Sequence, residues 1–365
     1  MLGMFIGMMI AYAGGNTYIF IRGLQTLSGC STGVKLLFSV IYWCLAGAMF
    51  LYFMTRNIDL PKWLTGTMFS VGSAWLIFTL YMVIALLVTD VAGLFLSSLH
   101  HGFVYALGFT LLLLLAGYCN YRHPKVVELN LTTDKHIEGG EMKIVAISDV
   151  HLGDGTGKKA LQRYVRKINA QQPDLILIGG DLIDNSIKPV YGERMNEELE
   201  QLKATLGIYM VPGNHEYISG LEQCEEFLRL TDITLLRDSV ATLPNGVQII
   251  GRDDRSNKRR KTLGNLIAQT DKSRPIVVID HQPYKLAQAD SLGVDLQFSG
   301  HTHHGQVWPI SMITDRMFEQ SHGYRKWSHA HIYVSSGLSL WGPPFRIGTN
   351  SDMAVIRLTS TQKTE

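Results

Sequence analysis

The chain has 365 residues, and its 33 Lys and Arg against 31 Asp and Glu leave a formal charge of +2 at pH 7. That length admits two domains, and so even a balance gives no bulk electrostatic attraction to nucleic acid. Its four cysteines, Cys30, Cys44, Cys119 and Cys224, form no CxxC pair, and only Cys224 lies in the polar part of the chain, which excludes a disulfide framework and a thiolate zinc site there.

In chain order, the first third is apolar and nearly free of charge. A membrane-spanning helix needs ~20 predominantly apolar residues. Leu2 to Ile21, Leu36 to Met54, Met68 to Val88 and Phe103 to Cys119 each read as one span. The expected domain is therefore a bundle of about four transmembrane helices over residues 1–120. Gly14, Gly15, Gly47 and Gly72 read as close-packing positions, and Asp90, His100 and His101 as residues near the membrane interface. The first segment has no basic start and too long an apolar run for a signal peptide. With four spans, Arg56, Lys62, Arg122 and Lys125 share a side with the polar half, while Arg22 and Lys35 lie opposite. The positive-inside bias then places the polar half in the cytoplasm, on a multi-pass membrane protein.

Residues 121–141 read as a linker with a leading edge strand from Val126 to Leu131. From Met142 onward short apolar runs alternate with helical spacing. Strands are expected at Lys143 to Ser148, Asp174 to Ile178, Gly207 to Val211, Ile233 to Leu235, Ser239 to Leu243, Val247 to Ile250, Arg274 to Ile279, Asp295 to Ser299, Ile332 to Ser335 and Met353 to Leu358. Helices are expected at Lys158 to Ala170, Glu193 to Lys203 and Leu221 to Leu230. Cys224 reads as a buried small hydrophobe. The alternation is that of an α/β domain, residues 142–365, with the late strands forming a second sheet.

Five short motifs stand at the ends of these strands: Asp149-Val-His151, Gly180-Asp181-Leu-Ile-Asp184, Gly213-Asn214-His215-Glu216, Asp280-His281 and Gly300-His301-Thr-His303. Loops at the carboxyl ends of strands are where open α/β sheets bind ligands. Carboxylate, amide oxygen and imidazole suit hard or borderline divalent ions. Asp149 and His151 are two residues apart, as are His301 and His303, so in extended chain each pair points to one side. Each motif alone is weak; five in this order, each after an apolar strand, are specific.

With this motif set the chain resembles the calcineurin-like metallophosphoesterase superfamily over roughly Met142 to Leu358. Through GHTHHGQ, Gly300 to Gln306, it is similar to that family's bacterial membrane-associated branch. The resemblance implies a metallophosphoesterase domain built as a four-layer α/β/β/α sandwich, and two divalent metal ions, Mn, Fe or Zn. Asp149, His151, Asp181 and His303 would bind the first ion. Asp181 would bridge to the second, which Asn214, His281 and His301 complete. His215 would be the general acid, and Asp184 would orient the cage from behind. Two divalent ions outweigh the charges of Asp149 and Asp181, so the site attracts phosphate. Ions ~3.5–4 Å apart can share a hydroxide for in-line attack on phosphorus, with His215 protonating the leaving oxygen. The serine/threonine phosphatases of the superfamily follow the second motif with Arg-Gly, whereas Asn185 and Ser186 stand here. His304 replaces a common glycine and is either a substrate contact or a tolerated loop residue.

Two further features leave alternatives. Arg252 to Lys261 holds six basic residues in ten, either a solvated loop or a patch for anionic lipid or a phosphate-rich substrate. Trp341 to Phe345 with Arg346 either walls the cleft as a substrate contact or is a Pro-braced core loop. The expected function is a membrane-anchored phosphoesterase acting on a phosphate mono- or diester that is lipid-linked or close to the membrane, with membrane lipids as its surroundings and neither nucleic acid nor a protein partner expected. The competing readings are a nuclease or cyclic-nucleotide phosphodiesterase, and a non-catalytic metal-binding membrane sensor.

Overall fold

A computed structural model describes residues 2–55, 58, 60–95 and 102–362. The chain divides into two compact units, Met1–Asn120 with Gly342–Ile347, and Tyr121–Trp341 with Gly348–Glu365. The first contains helices α1 (Leu2–Thr26), α2 (Thr32–Thr55), α3 (Lys62–Gly93) and α4 (Gly102–Tyr121). Among the described residues, three helices are long and apolar enough to cross a membrane: Thr32–Thr55, Trp63–Gly93 and Gly102–Tyr121. The count is three rather than the four expected. Leu2 to Ile21 is helical, but lack of charge alone does not make a span: Asn16, Thr17 and four glycines dilute its apolar run.

The helices are held by polar contacts as well as by aromatic packing. The buried Asn16 side chain accepts from the Tyr42 hydroxyl at 3.0 Å and from Trp75 Nε1 at 2.9 Å, and donates to Tyr12 O at 2.9 Å. It therefore joins α1, α2 and α3 at one point, where an unpaired amide in apolar surroundings would be costly. Asp90 is paired with Arg22 at 2.6 Å and with the Tyr18 hydroxyl at 2.5 Å. His100 and His101 lie outside the described residues. Of the four glycines expected to allow close packing, Gly72 and Gly15 do so. A Cβ on Gly72 would lie 2.4 Å from Met49 N, and one on Gly15 3.1 Å from Val83 Cγ2. Gly14 and Gly47 face nothing within 4 Å.

The second unit is built from strands β1 (Lys125–Thr133), β2 (Glu141–Ile147), β3 (Leu175–Ile178), β4 (Ile208–Met210), β5 (Ile233–Leu235), β6 (Ser239–Thr242), β7 (Gln248–Gly251), β8 (Ile276–Ile279), β9 (Leu296–Ser299), β10 (Gly323–Lys326), β11 (His331–Val334) and β12 (Asp352–Ser360). One six-stranded sheet runs β1-β12-β2-β3-β4-β5, the other β10-β11-β9-β8-β7-β6. Helices α5 (Lys158–Asn169), α6 (Lys188–Gly192), α7 (Asn196–Leu199), α8 (Asn214–Ser219) and α9 (Leu221–Leu228) follow the strands of the first sheet. Helices α10 (Leu263–Ile267), α11 (Leu286–Ser291) and α12 (Ile310–Met317) follow those of the second.

Three apolar layers separate the elements. Leu161, Val165 and Phe227 pack against the first sheet through Val145 and Ile176. Ile144, Leu177, Ile249 and Phe298 fill the space between the sheets. Leu263, Leu266 and Ala289 cover Ile250 and Val278 of the second sheet. This is the α/β/β/α order expected. Strands such as Leu175–Ile178 and Ile276–Ile279 read as unbroken apolar runs because both their faces are buried. Of the helix expected from Glu193 to Lys203 only the short α7 forms, and α6 precedes the expected range. Arg194 between them adopts φ +52°, which ends a right-handed helix. Within the first sheet β2, β3 and β4 are mutually parallel, and within the second β7, β8 and β9 are. In each sheet, therefore, the carboxyl ends of the parallel strands lie together at one end.

Candidate metal centre

All five motifs sit at those carboxyl ends. Asp149 follows β2, Asp181 follows β3, Asn214 opens α8 after β4, His281 follows β8 and His301 follows β9. The residues converge, although not by strand alternation. Asp149, His151, Asp181, His301 and His303 all have positive φ, between +48° and +72°. Such backbone is uncommon for residues with a Cβ and is concentrated where function requires it. It lets both members of each pair reach one centre by tight turning instead of by extended spacing.

Among the described residues three overlapping groups of metal-competent atoms result here, with atoms in each within 4.8 Å of one another: the outer two are Asp149, His151 and His303, and Asp181, His281 and His301, and the third, His151, Asp181 and His215, links them. His303 Nε2 lies 3.3 Å from Asp149 Oδ1 and 3.0 Å from His151 Nε2. Asp181 Oδ2 faces both groups, 3.1 Å from His281 Nε2 and 3.9 Å from His151 Nε2. Its other oxygen accepts from His215 N at 2.8 Å. Asp181 is thus the one carboxylate placed between the two groups.

The donor set fits cations on its own chemistry. His281 Nδ1 lies 2.7 Å from Gly179 O, so that nitrogen carries the hydrogen and Nε2 presents a lone pair. Both His281 Nε2 and Asn214 Oδ1 are buried without a hydrogen-bond partner among the described residues, a costly state unless a cation takes the electron pair. Burial opposes a charged Asp181, but His281 outweighs it and holds the carboxyl well below its usual range. Burial likewise opposes a charged His281, and Asp181 overrides it to raise that imidazole well above its usual value. A positive charge shared at this contact is what the pocket stabilises. His301 behaves oppositely: burial first, then the neighbouring His281, lower it to about 4, leaving a neutral imidazole ready to ligate.

Asp184 Oδ1 lies 3.3 Å from His151 Nδ1 and 3.1 Å from His215 Nδ1. Burial penalises its charge, yet the bonds to those two histidines prevail and hold its pKa at about 2. It therefore faces both rings, hydrogen-bonded to His151 and within ion-pair distance of His215. His215 packs edge-on to His151, with ring centroids 4.6 Å apart, and lies 6.2 Å from the ring of Trp341. Trp341 is 43% exposed.

Two contributors, Glu216 and Asp280, carry no role in the sequence analysis. Glu216 is buried; its Oε2 accepts from Gly213 N at 2.7 Å and Asp181 N at 3.0 Å, and its Oε1 from Ile183 N at 2.9 Å. It ties the second motif to the third. Asp280 takes Arg252 at 2.6 Å and Arg260 at 3.1 Å. Two of the six basic residues in that run are therefore spent beside His281 and not displayed to an anionic surface. The Asp149 carboxylate accepts from His301 N at 3.0 and 3.1 Å, joining the ends of the two sheets. The glycines act mainly by giving room: a Cβ on Gly300 would meet Ser148 Oγ at 1.9 Å, and one on Gly213 would meet Asp181 Oδ1 at 2.1 Å. Only Gly180, at φ +91°, serves a turn closed to other residues.

The two expected substrate contacts are placed as follows. His304 Nε2 lies 3.4 Å from Asp315 Oδ1. Arg346 is fully buried, its N–H donating to Gly117 O and its carbonyl accepting from Asn120 Nδ2, both at 3.0 Å. Cys224 is buried, and desolvation pushes its thiol up to about 12, so it is inert packing.

Comparison with known proteins agrees with this geometry. The family model described as calcineurin-like phosphoesterase matches residues 142–305. A metallophosphoesterase of Helicobacter pylori is 34% identical over 247 residues, 66% of this chain and 65% of that protein. One from Aquifex aeolicus is 30% identical over 244 residues, 64% of this chain and 91% of the relative. A transmembrane protein with metallophosphoesterase domain from Danio rerio is 31% identical over 273 residues, 70% of this chain and 62% of that protein. The chain thus spans a little under two thirds of the Helicobacter and Danio relatives.

Proposed function

The chain belongs to the calcineurin-like phosphoesterase family, and from that premise we propose that it is a membrane-anchored hydrolase of a phosphate mono- or diester using two divalent ions. The observation that carries this reading is the pair of ligand groups with Asp181 between them. Asp149, His151, Asp181 and His303 would hold one ion, and Asp181, Asn214, His281 and His301 the other. When bound, two such ions supply Lewis-acid polarisation of a phosphoryl oxygen and an activated water. The mix of imidazole, amide and carboxylate suits Mn, Fe or Zn.

The chain's own residues do the rest. Asp184 holds His215 by Nδ1, which leaves Nε2 to give its proton to the leaving oxygen. Trp341 offers an exposed aromatic wall beside that ring. The membrane-competent helices favour a lipid-linked or membrane-proximal ester over a freely diffusing one. The cytoplasmic side is favoured by the same four basic residues as before. Losing α1 as a span leaves that bias unchanged, because the α2–α3 connection and the segment after α4 carry it.

Detergent-solubilised full-length protein tests the proposal. Turnover of phosphodiesters and of lipid phosphates should vanish on chelation and return with Mn, Fe or Zn. His215→Ala should lower kcat about 100-fold or more with bound metal unchanged by elemental analysis. Absence of metal-dependent turnover on every ester tested would refute hydrolysis, and turnover confined to nucleotide esters would refute the lipid-linked substrate.

A further inference from the structure

Helix α12 turns its polar side inward. Its buried residue is Ser311, and Asp315 accepts from the hydroxyl of the buried Ser321. Ile310, Ile313 and Met317 follow the spacing of a single helical face, yet they are 40%, 55% and 65% exposed, and Met312 and the preceding Trp308 are exposed as well. Among the described residues of this unit ten large apolar side chains are exposed, and five of them fall within Trp308–Met317. Single exposed apolar residues are ordinary, whereas a contiguous run of them marks a surface that meets a partner. We propose that Trp308–Met317 is a membrane-contact element that lies in the headgroup boundary of the bilayer crossed by the chain's own helices.

The chain itself brings a bilayer to this face. Only Arg122, His123 and Pro124 separate α4 from β1, a reach of at most about 14 Å. The chain returns to the helical unit at Gly342–Ile347. There Ile347 packs so tightly on α4 that a Cβ on Gly117 would lie 2.5 Å from Ile347 Cγ1. Gly348, the next residue, borders Trp308, since a Cβ on it would lie 3.0 Å from Trp308 Cβ. Trp308 therefore stands against the first residue to leave a segment seated on a membrane-competent helix.

The composition of the element suits that boundary. Tryptophan is enriched where apolar and aqueous phases meet, and an interfacial helix buries its apolar face about 5–10 Å deep. By helical spacing the exposed Arg316 falls between Met312 and Ile313 around the helix. Its stem can follow apolar surface while its guanidinium meets lipid phosphate. The start of α12 is also held to the loop carrying His303: a Cβ on Gly305, two residues after His303, would lie 2.7 Å from Ser311 N. Insertion of α12 therefore keeps that loop at headgroup level, where a lipid-linked ester presents its phosphate.

Nitroxide labels test the depth. Full-length chains carry alanine at Cys30, Cys44 and Cys119, which leaves only the buried Cys224. Ile313→Cys or Met317→Cys is added, labelled and reconstituted in phosphatidylcholine–phosphatidylglycerol vesicles. Collision with oxygen, which concentrates in lipid, is compared with collision with a water-soluble nickel chelate. Leu112→Cys, at an exposed position of α4, and Lys272→Cys, at an exposed position of the second unit, give the lipid and water references. The oxygen-to-nickel ratio at Ile313 and Met317 should exceed that at Lys272 severalfold. With the native cysteines kept, Trp308→Phe should remove a share of the tryptophan emission that brominated lipids quench. Ratios at both α12 positions equal to that at Lys272 would overturn the contact, and label–label broadening at those ratios would give the face to a second copy instead. Insertion presupposes that α2–α4 span the bilayer and does not depend on hydrolysis. A water-like ratio at Leu112 would sink the anchor and the contact together, whereas a lipid-like Leu112 beside a water-like α12 would sink the contact alone.

Discussion

At the scale of single residues, the centre depends on groups that never touch an ion. Glu216 accepts three backbone N–H bonds while buried. Glu216→Gln turns an NH2 toward at least one of those donors, and a buried unmet donor costs about 1–3 kcal/mol. We expect a lower denaturation midpoint together with weaker metal retention, read by chemical unfolding and elemental analysis. Asp184 gives a pH signature. Its folded pKa of about 2 lies below the ordinary carboxylate value, so its contribution is complete above about 4 and disappears as pH falls through about 2. In metal-stripped protein the stability gap between wild type and Asp184→Asn, about 2 kcal/mol at neutral pH, should close across that acid range. The proposed ligands are legible in the sequence because each stands at or just after the end of an apolar strand. Glu216 is not, although it stands in the same motif as His215. Two of its three partners are amides more than thirty positions away, at Asp181 and Ile183, and nothing local marks them; only Gly213 is close in the chain.

At the scale of elements, what could be read followed burial. Strands buried on both faces, such as Leu175–Ile178 and Ile276–Ile279, announce themselves as apolar runs. Helix α5 does so by spacing, since Leu161, Tyr164, Val165 and Ile168 are its buried face. Helix α12 was missed because its apolar residues Ile310, Met312, Ile313 and Met317 are exposed and form no inward stripe. The first apolar segment is helical but is not among the three helices, of the described residues, that are long and apolar enough to cross a membrane. The membrane helices yield a paired prediction. Gly→Ala within a helix ordinarily stabilises by about 1 kcal/mol. Gly47→Ala should follow that rule, as no atom lies within 4 Å of its Cβ position. Gly72→Ala should reverse the sign, because its Cβ would press on Met49 backbone. Thermal melts of the two variants in the same detergent compare them directly, and equal shifts would show that α2 and α3 do not pack as closely as the structure has them.

At the scale of the whole molecule, stability should be tied to metal. Ions that bind only the folded chain add about 2.7 kcal/mol when free metal is 100-fold above its dissociation constant. Chelation should therefore lower the melting temperature of wild type, and do so much less in Asp181→Ala, whose loss touches both ion sites. Asp149, His151, Asp181 and Asn214 belong to loops of the first sheet, and His281, His301 and His303 to loops of the second. Neither proposed ion site is complete within the loops of one sheet. During synthesis, a chain that stops short of His281 would carry three of the four proposed ligands of one ion and two of the four of the other, so premature termination would leave both proposed sites incomplete.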